Sequence, residues 1–577
     1  MTELRTPYEK DLRRNKLPWN EYPRPSLKRA AWFNLNGAWR LAVSRGTKEV
    51  FCGKCTVPFP PESRLSGASF APRSGDVLCY ERKFTPPRAY KGQRVLLHFG
   101  AVDGPATVLL NGERVGEIPL PYLPASFEIT HLLQEGENIL TVTVWNKGDT
   151  SLPWGKQRKK RGGMWYTPVS GIWQTVWMEA VPQNYIERIR CETEANRVTF
   201  RFQGGGAQKT LILQKAGEAL EYRFEGDSFT LTLPEPRFWC PEDPFLYRFT
   251  VLAGEDRVES YFAFRTMETK EVGGQSVLCL NGRPTFFHGL LDQGYFPDGI
   301  FLPASPRGFE EDVLRCRALG FNMLRKHIKL EPELFYYYCD LHGVAVLQDM
   351  INAGPYSFLL DTVLPTLGLK RGVRHRVKKA TREAFFAVAE GIQEALFHHP
   401  SVVCYTIFNE GWGQFDGDGA YRRLKAKDPS RLYDTTSGWF FEKESDVESH
   451  HVYFKPVRLP HRADRPTVLS EFGGYSLKLA EHSFNPKRTY GYRFFEKAED
   501  FRRALETLYR EEILPEIGRS GLCCTVLTQL SDVEDETNGL LTYDRKAVKV
   551  EEKAMQALAE ELQAAFTEKF PSAGLEK

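Results

Sequence analysis

Two glutamates occupy positions where a barrel or sheet has no structural use for a charge. Glu410 follows the apolar run Ile407-Phe408-Asn409 and precedes Gly411-Trp412-Gly413. Glu471 follows Val468-Leu469-Ser470 and precedes Phe472-Gly473-Gly474. Desolvating a carboxylate at the exit of a buried strand is costly, so a bland salt bridge or helix cap is the weaker explanation when both share the placement. A reaction that needs two carboxyl groups is the cleavage of a glycosidic bond. One protonates the departing oxygen and the other attacks the anomeric carbon. The acid needs a raised pKa, which an apolar wall such as Trp412 and a nearby anion supply. Asn409 is placed to donate to the sugar hydroxyl beside the anomeric carbon, a contact that strengthens in the transition state.

Elements must hold these groups. From about residue 267 short apolar runs alternate with longer amphipathic segments. Eight candidate strands read as 285–289, 322–325, 344–347, 402–408, 432–435, 447–450, 467–470 and 523–528. Strands alternating with helices over about 300 residues predict a (β/α)8 TIM barrel, whose catalytic groups sit just after the strands. Polar residues cluster there: Arg325 and His327, Asp349, Asn409 and Glu410, His450 and His451, Glu471, Gln529 and Asp532.

The chain before the barrel reads differently. Residues 1–182 alternate short β-type runs with turns, such as Ala106 to Leu110 followed by Asn111-Gly112, and predict an N-terminal jelly-roll sandwich. Residues 183–266 continue in that style at the size of an immunoglobulin-like β-sandwich, leaving 267–577 to the barrel. With 577 residues a division into several domains is expected.

Composition narrows the classes. Hydrophobic residues at 42% and charged residues at 26% argue for a folded globular chain. Aromatics at 13% fit large β-rich cores and equally a carbohydrate site. The net charge of +3 and the absence of an evident Lys/Arg tract interleaved with aromatics argue against nucleic acid. No stretch approaches a membrane span, and the polar start lacks a leader-like apolar region. The eleven cysteines are odd in number and scattered, and Cys52-Gly-Lys-Cys55 has no second half-site, so no metal is expected and a reducing, cytoplasmic setting is. No nucleotide-binding glycine motif and no serine-hydrolase elbow occur, so no cofactor is expected.

Several motifs, in order, resemble those of glycoside hydrolase family 2, the family of β-galactosidases, β-glucuronidases and β-mannosidases. Ile407-Phe-Asn-Glu-Gly-Trp412 resembles its acid/base motif and Leu469-Ser-Glu-Phe-Gly-Gly474 its nucleophile motif. Trp32-Phe-Asn-Leu-Asn-Gly-Ala-Trp39 and Gly171-Ile-Trp-Gln-Thr-Val-Trp177 are similar to signatures of its N-terminal domain, and Phe238 to Tyr247 to the end of its immunoglobulin-like domain. The resemblance implies a retaining exo-β-glycosidase with acid/base Glu410 after strand four and nucleophile Glu471 after strand seven. It also implies Tyr453 bonding the nucleophile and Arg325 bracing it.

By position, His327, Lys329, Asp349, Trp412, Trp439, His450, His451, Gln529 and Asp532 join the substrate contacts. The chain departs from the family in lacking the usual Arg-x-x-His-x-Pro stretch after strand two, and in having Asn538-Gly-Leu540 where glucuronidases carry Asn-x-Lys. The Lys370 to Arg382 run, with Arg325, Lys326 and Lys329, reads either as a solvated surface or as a positive lip for an anionic sugar. The lip points to a β-hexuronide, galacturonide or glucuronide. A neutral β-galactoside is the alternative, and a non-catalytic carbohydrate-binding protein is the alternative of another class. The expected partner is a β-glycoside or oligosaccharide, and a homo-oligomer is compatible with this chain.

Overall fold

The computed structural model describes residues 3–572 except 15–16, 147, 149, 216 and 368–376. Eight parallel strands form the C-terminal sheet: β1 (Phe287–Asp292), β2 (Met323–Lys326), β3 (Ala345–Asp349), β4 (Val402–Asn409), β5 (Leu432–Ser437), β6 (Glu448–Val452), β7 (Thr467–Gly473) and β8 (Leu522–Thr528). Pairing runs 5-4-3-2-1-8-7-6, and β5 also packs against β6, so the ring is nearly closed. Every residue of β2, β3, β4, β7 and β8 is buried, which explains why these runs read as continuously apolar rather than alternating. Helices such as Arg307–Ala318, Glu333–His342 and Lys379–Leu396 connect them, as parallel neighbours require.

Two antiparallel sheets precede the barrel, one of four strands and one of six, facing each other across a core that includes Trp39, Tyr80, Leu97 and Val142. The Asn111-Gly112 turn joins Ala106–Leu110 to Glu113–Ile118, with both residues at positive φ (55° and 87°), the geometry of a tight two-residue hairpin. A second pair of sheets, of three and four strands, spans Ile186–Phe262 around Phe200, Phe249 and Phe262.

The segment 150–171 leaves the first sandwich and lies across the barrel mouth. Trp154 bonds Asn352 and Gly354 after β3, at 3.0 Å through both its backbone N–H and its indole N–H. Beyond β8, Arg161 bonds Glu534 at 3.0 Å, the Thr167 N–H bonds Glu534 at 2.8 Å, and the Tyr166 hydroxyl bonds Glu536. Both edges of the segment are thereby fastened to loops of the barrel's C-terminal face.

Candidate active site

The turn after β4 is shaped to present Glu410. Glu410 has φ of 49°, and its N–H is held by the Ser437 carbonyl at 3.0 Å. A non-glycine residue there is uncommon and strained, a feature that clusters at functional sites. Gly411 and Gly413 follow, also at positive φ, and a Cβ on Gly413 would stand 1.9 Å from the Ala353 carbonyl oxygen. The Asn-Glu-Gly-Trp-Gly motif is thus set by backbone geometry as much as by chemistry. On β7, register shifts on both sides of Glu471 mark a bulge, a device that re-aims a side chain.

These two strand exits bring the glutamates together. A carboxylate oxygen of Glu410 and one of Glu471 lie within 4.8 Å of each other, with His451 between them. His451 Nδ1 is 2.9 Å from Glu410 Oε1, and Nε2 is 2.7 Å from Ser437 Oγ and 3.6 Å from Glu471 Oε1. Glu410 is 9% exposed and Glu471 5%. The Glu410, His451 and Glu471 ligand atoms also have the spacing of a metal site. Arg325 already places a positive charge beside two of the three, so their proximity is accounted for without an ion.

Arg325 is the hub of the site and is fully buried on β2. Its guanidinium bonds Asp349 at 2.9 Å, Glu471 Oε1 at 3.0 Å, the Ser470 carbonyl at 3.0 Å and Asn409 Oδ1 at 2.8 Å. Asp349 in turn holds His327 Nδ1 at 2.6 Å. Burial pushes the His327 pKa down to about 4, although the Asp349 bond opposes it. Tyr453 donates its hydroxyl to Glu471 Oε2, and stands 2.9 Å from Thr528 Oγ1. Burial alone would raise the Glu471 carboxyl. Electrostatic attraction from His451 and Arg325, with the Tyr453 bond, outweighs it and holds the group well below the usual carboxylate range. Glu471 is therefore kept as an anion while enclosed.

Asn409 gives its carbonyl to Arg325, so its amide nitrogen remains a buried donor with no partner among the described residues. The Trp412 indole N–H is likewise unpartnered. Trp412 packs against Trp165 of the mouth-crossing segment at 5.1 Å, Tyr356 at 5.4 Å and His327 at 6.5 Å. Trp439, after β5, lies 5.8 Å from the His451 ring. His450 alternates to the opposite side of β6 and meets Phe441 at 5.6 Å, as a period of two dictates. After β8, Gln529 donates to Asn538 at 2.7 Å, and Asp532 pairs with Lys549 at 2.5 Å and caps the Gly539 N–H at 2.9 Å. Asp532 thus braces that loop.

Lys329 requires a correction. Placed at the rim by its distance from β2, it is 2% exposed and donates to the Gly294 and Phe301 carbonyls, both at 2.6 Å, with Glu331 at 2.9 Å. Lys326 is similarly taken up by Asp292 and Glu331. Most of the Lys370 to Arg382 run lies outside the described residues. The cations that do face this site come from the first sandwich. Lys156 is 7% exposed, with its ammonium 5.6 Å from the Trp412 ring and 5.4 Å from that of Tyr166. It makes no ion pair or hydrogen bond among the described residues. In the stretch from Lys156 to Tyr166 the cations Lys156, Arg158, Lys159, Lys160 and Arg161 precede the aromatics Trp165 and Tyr166.

An eight-stranded parallel barrel with paired carboxylates on its C-terminal rim, roofed by a β-sandwich, defines the class by architecture. Comparison with known proteins agrees. Residues 74–171 match a family model described as glycosyl hydrolase 2 galactose-binding domain-like. The β-galactosidase of Priestia megaterium is 25% identical over 448 residues, covering 70% of this chain and 41% of that protein. That of Thermoanaerobacter pseudethanolicus is 26% identical over 299 residues, covering 48% and 39%. The chain spans about two fifths of the length of these curated relatives. Among solved structures, the β-glucuronidase of an uncultured Clostridium species aligns with TM-score 0.72 at 18% identity, covering 93% of this chain and 99% of that one. A family 2 β-galacturonidase from Eisenbergiella tayi, bound to galacturonate, aligns with TM-score 0.67 at 18% identity, covering 95% and 99%. Residues 74–171 thus match a glycosyl hydrolase 2 domain, and the fold as a whole is shared with a solved glycoside hydrolase family 2 enzyme.

Proposed function

We propose that this chain is a retaining exo-β-glycosidase that removes one β-linked sugar from a non-reducing end. The observation that carries the reading is the approach of the two carboxylates, with oxygens within 4.8 Å. Retaining enzymes hold the groups about 5–5.5 Å apart, whereas inverting enzymes leave about 6.5–9.5 Å for a water. Glu471, kept ionised, attacks the anomeric carbon and forms a glycosyl-enzyme. Glu410 gives its proton to the departing oxygen, then takes one from the water that releases the sugar. The unpartnered Asn409 amide donates to the 2-hydroxyl, and Tyr453 and Arg325 orient the nucleophile. A binding protein without catalysis has no use for such a pair. The roof segment 150–171 supports exo action by closing the mouth.

For the glycone the reading is a β-hexuronide. Lys156 supports it, since a buried ammonium with no side-chain hydrogen bond among the described residues, balanced only by the Glu536 charge from beyond ion-pair distance, is costly until a closer anion meets it. A neutral β-galactoside is the second reading, favoured by the engagement of Lys326 and Lys329 inside the fold and by relatives named β-galactosidase. The same account divides the chain into units 1–182, 183–266 and 267–577, supported by three buried clusters, of which the barrel's also takes in Leu4, Phe59, Tyr122, Trp173 and Trp239 from the units before it. No helix of the described residues is long and apolar enough to cross a membrane. A cytoplasmic setting is supported by eleven unpaired cysteines. The test is a panel of nitrophenyl β-galactoside, glucuronide and galacturonide, with product anomers followed by NMR. Uronide turnover with retention, lowered about ten- to a hundredfold in Lys156→Met, supports the reading. Preference for the neutral galactoside overturns the uronide part, and net inversion overturns the mechanism.

A further inference from the structure

A second cation without an ion pair among the described residues stands at the mouth, linked through Tyr356 to the turn that carries the acid/base. Arg158 belongs to the roof segment, two residues beyond Lys156. Its guanidinium lies 4.2 Å from the Trp165 ring centroid and 4.8 Å from that of Tyr356. Among the described residues it makes no ion pair and no hydrogen bond, in contrast to its neighbour Arg161, which is bonded to Glu534. A cavity of about 220 Å³, lined by Arg158, Trp154, Gln157 and Lys159, opens beside it.

Tyr356 fixes which side of the site this is. Its ring packs on Trp412, two residues beyond Glu410. Its phenol is pushed up to about 12, chiefly by burial, with the Glu410 charge adding to the rise and the Arg158 charge opposing it. The phenol is therefore within electrostatic reach of both groups. The acid/base hands its proton to the departing oxygen, so whatever Glu410 faces beyond the scissile bond is the leaving group. A guanidinium parked on an aromatic face keeps its donor edge for a planar anion, and a carboxylate matches that fork in a bidentate way.

We propose that Arg158 selects a leaving group bearing a carboxylate close to the scissile bond, as in an acidic saccharide unit or an acidic aryl aglycone. This rests on the glycosidase reading above but is independent of the charge of the glycone. Arg158 is a specificity residue and takes no part in the bond-breaking step.

The test uses two matched substrates on whichever glycone the enzyme cleaves, a 4-nitrophenyl and a 3-carboxy-4-nitrophenyl β-glycoside. Comparing the ratio of their kcat/KM values across variants cancels the intrinsic difference between the two leaving groups. Arg158→Met lowers kcat/KM for the carboxylated substrate about ten- to a hundredfold relative to the uncharged one, the range of a charge-assisted bond. Arg158→Lys, which keeps the charge but loses the fork, falls between. In the wild type the relative rate on the acidic substrate declines as salt rises from about 0.01 M to about 1 M. An unchanged ratio in Arg158→Met, with both substrates still turned over, overturns the assignment and leaves the glycosidase standing. Turnover of neither substrate by the wild type overturns the glycosidase reading and this one with it.

Discussion

Replacing Asn409 by Ala separates two jobs that one side chain performs. The carbonyl oxygen accepts from Arg325 at 2.8 Å, while the amide nitrogen is buried and has no partner among the described residues. In the proposed mechanism that nitrogen meets the 2-hydroxyl of the glycone. A neutral hydrogen bond contributes roughly 0.5–1.5 kcal/mol, and this one strengthens as charge develops at the anomeric carbon. A total of about 1.5–3 kcal/mol corresponds to a loss of about ten- to a hundredfold in kcat/KM. The same mutation leaves the Arg325 Nη2 without an acceptor, which costs about 1–3 kcal/mol of stability. The two effects are told apart with a 2-deoxy glycoside, which cannot make the bond. The variant loses the full factor on the 2-hydroxy substrate and little on the 2-deoxy one, giving a coupling near the whole loss. Equal losses on both substrates would mean that Asn409 acts only by holding Arg325, and the assignment to the 2-hydroxyl would be wrong.

Tyr453→Phe removes the hydroxyl that donates to Glu471 without changing the ring. A bond to a charged group contributes about 1.5–3 kcal/mol, so without it the carboxyl rises back toward the ordinary carboxylate range. A depressed carboxyl adds stability above its unfolded value near ~4.3 and loses it as pH falls through the folded value. The variant is accordingly less stable at neutral pH, and the gap between the urea midpoints of the two proteins closes as pH falls from about 4 toward about 2. A gap that is constant with pH would show that the hydroxyl does not act on the charge of Glu471. Glu410→Ala keeps substrates whose leaving groups need no proton and loses about 10²- to 10⁴-fold on those that do. Added azide restores its turnover as a β-glycosyl azide, and an α-azide or no rescue would remove Glu410 from the acid/base role.

Much of the barrel was legible in the sequence because its strands are buried on both faces. The run expected at 402–408 is observed as Val402–Asn409, and that at 523–528 as Leu522–Thr528. Continuous apolar runs bounded by glycine and polar residues define such strands locally. Glu410 and Glu471 were legible for the same reason, since a charge at the end of such a run is conspicuous.

The roof was not legible by that logic. Lys156, Arg158 and Trp165 reach the site only because one domain lies across another, and no local periodicity encodes that contact. One signal was available. Between the strands Asn138–Trp145 and Gly171–Ile172 the chain runs about 25 residues without alternation, dense in Lys, Arg and Trp. Loops of that length in compact domains are usually functional. His451 was counted among the contacts, but its place between the two glutamates follows from the alternation on β6 combined with the closure of the ring. Lys329 was misplaced because a long side chain can turn inward as easily as outward, and Glu331 with two carbonyls offers it a better environment than the rim.

The central claim is that Glu471 becomes covalently attached to the sugar. An activated 2-deoxy-2-fluoro β-glycoside of the preferred glycone slows release of the intermediate, and mass spectrometry of the digested enzyme locates the adduct. The account predicts one added fluoroglycosyl group on the peptide that contains Glu471, with loss of the adduct in Glu471→Gln. An adduct on another residue, or turnover without any adduct and with inversion at the anomeric carbon, would contradict it.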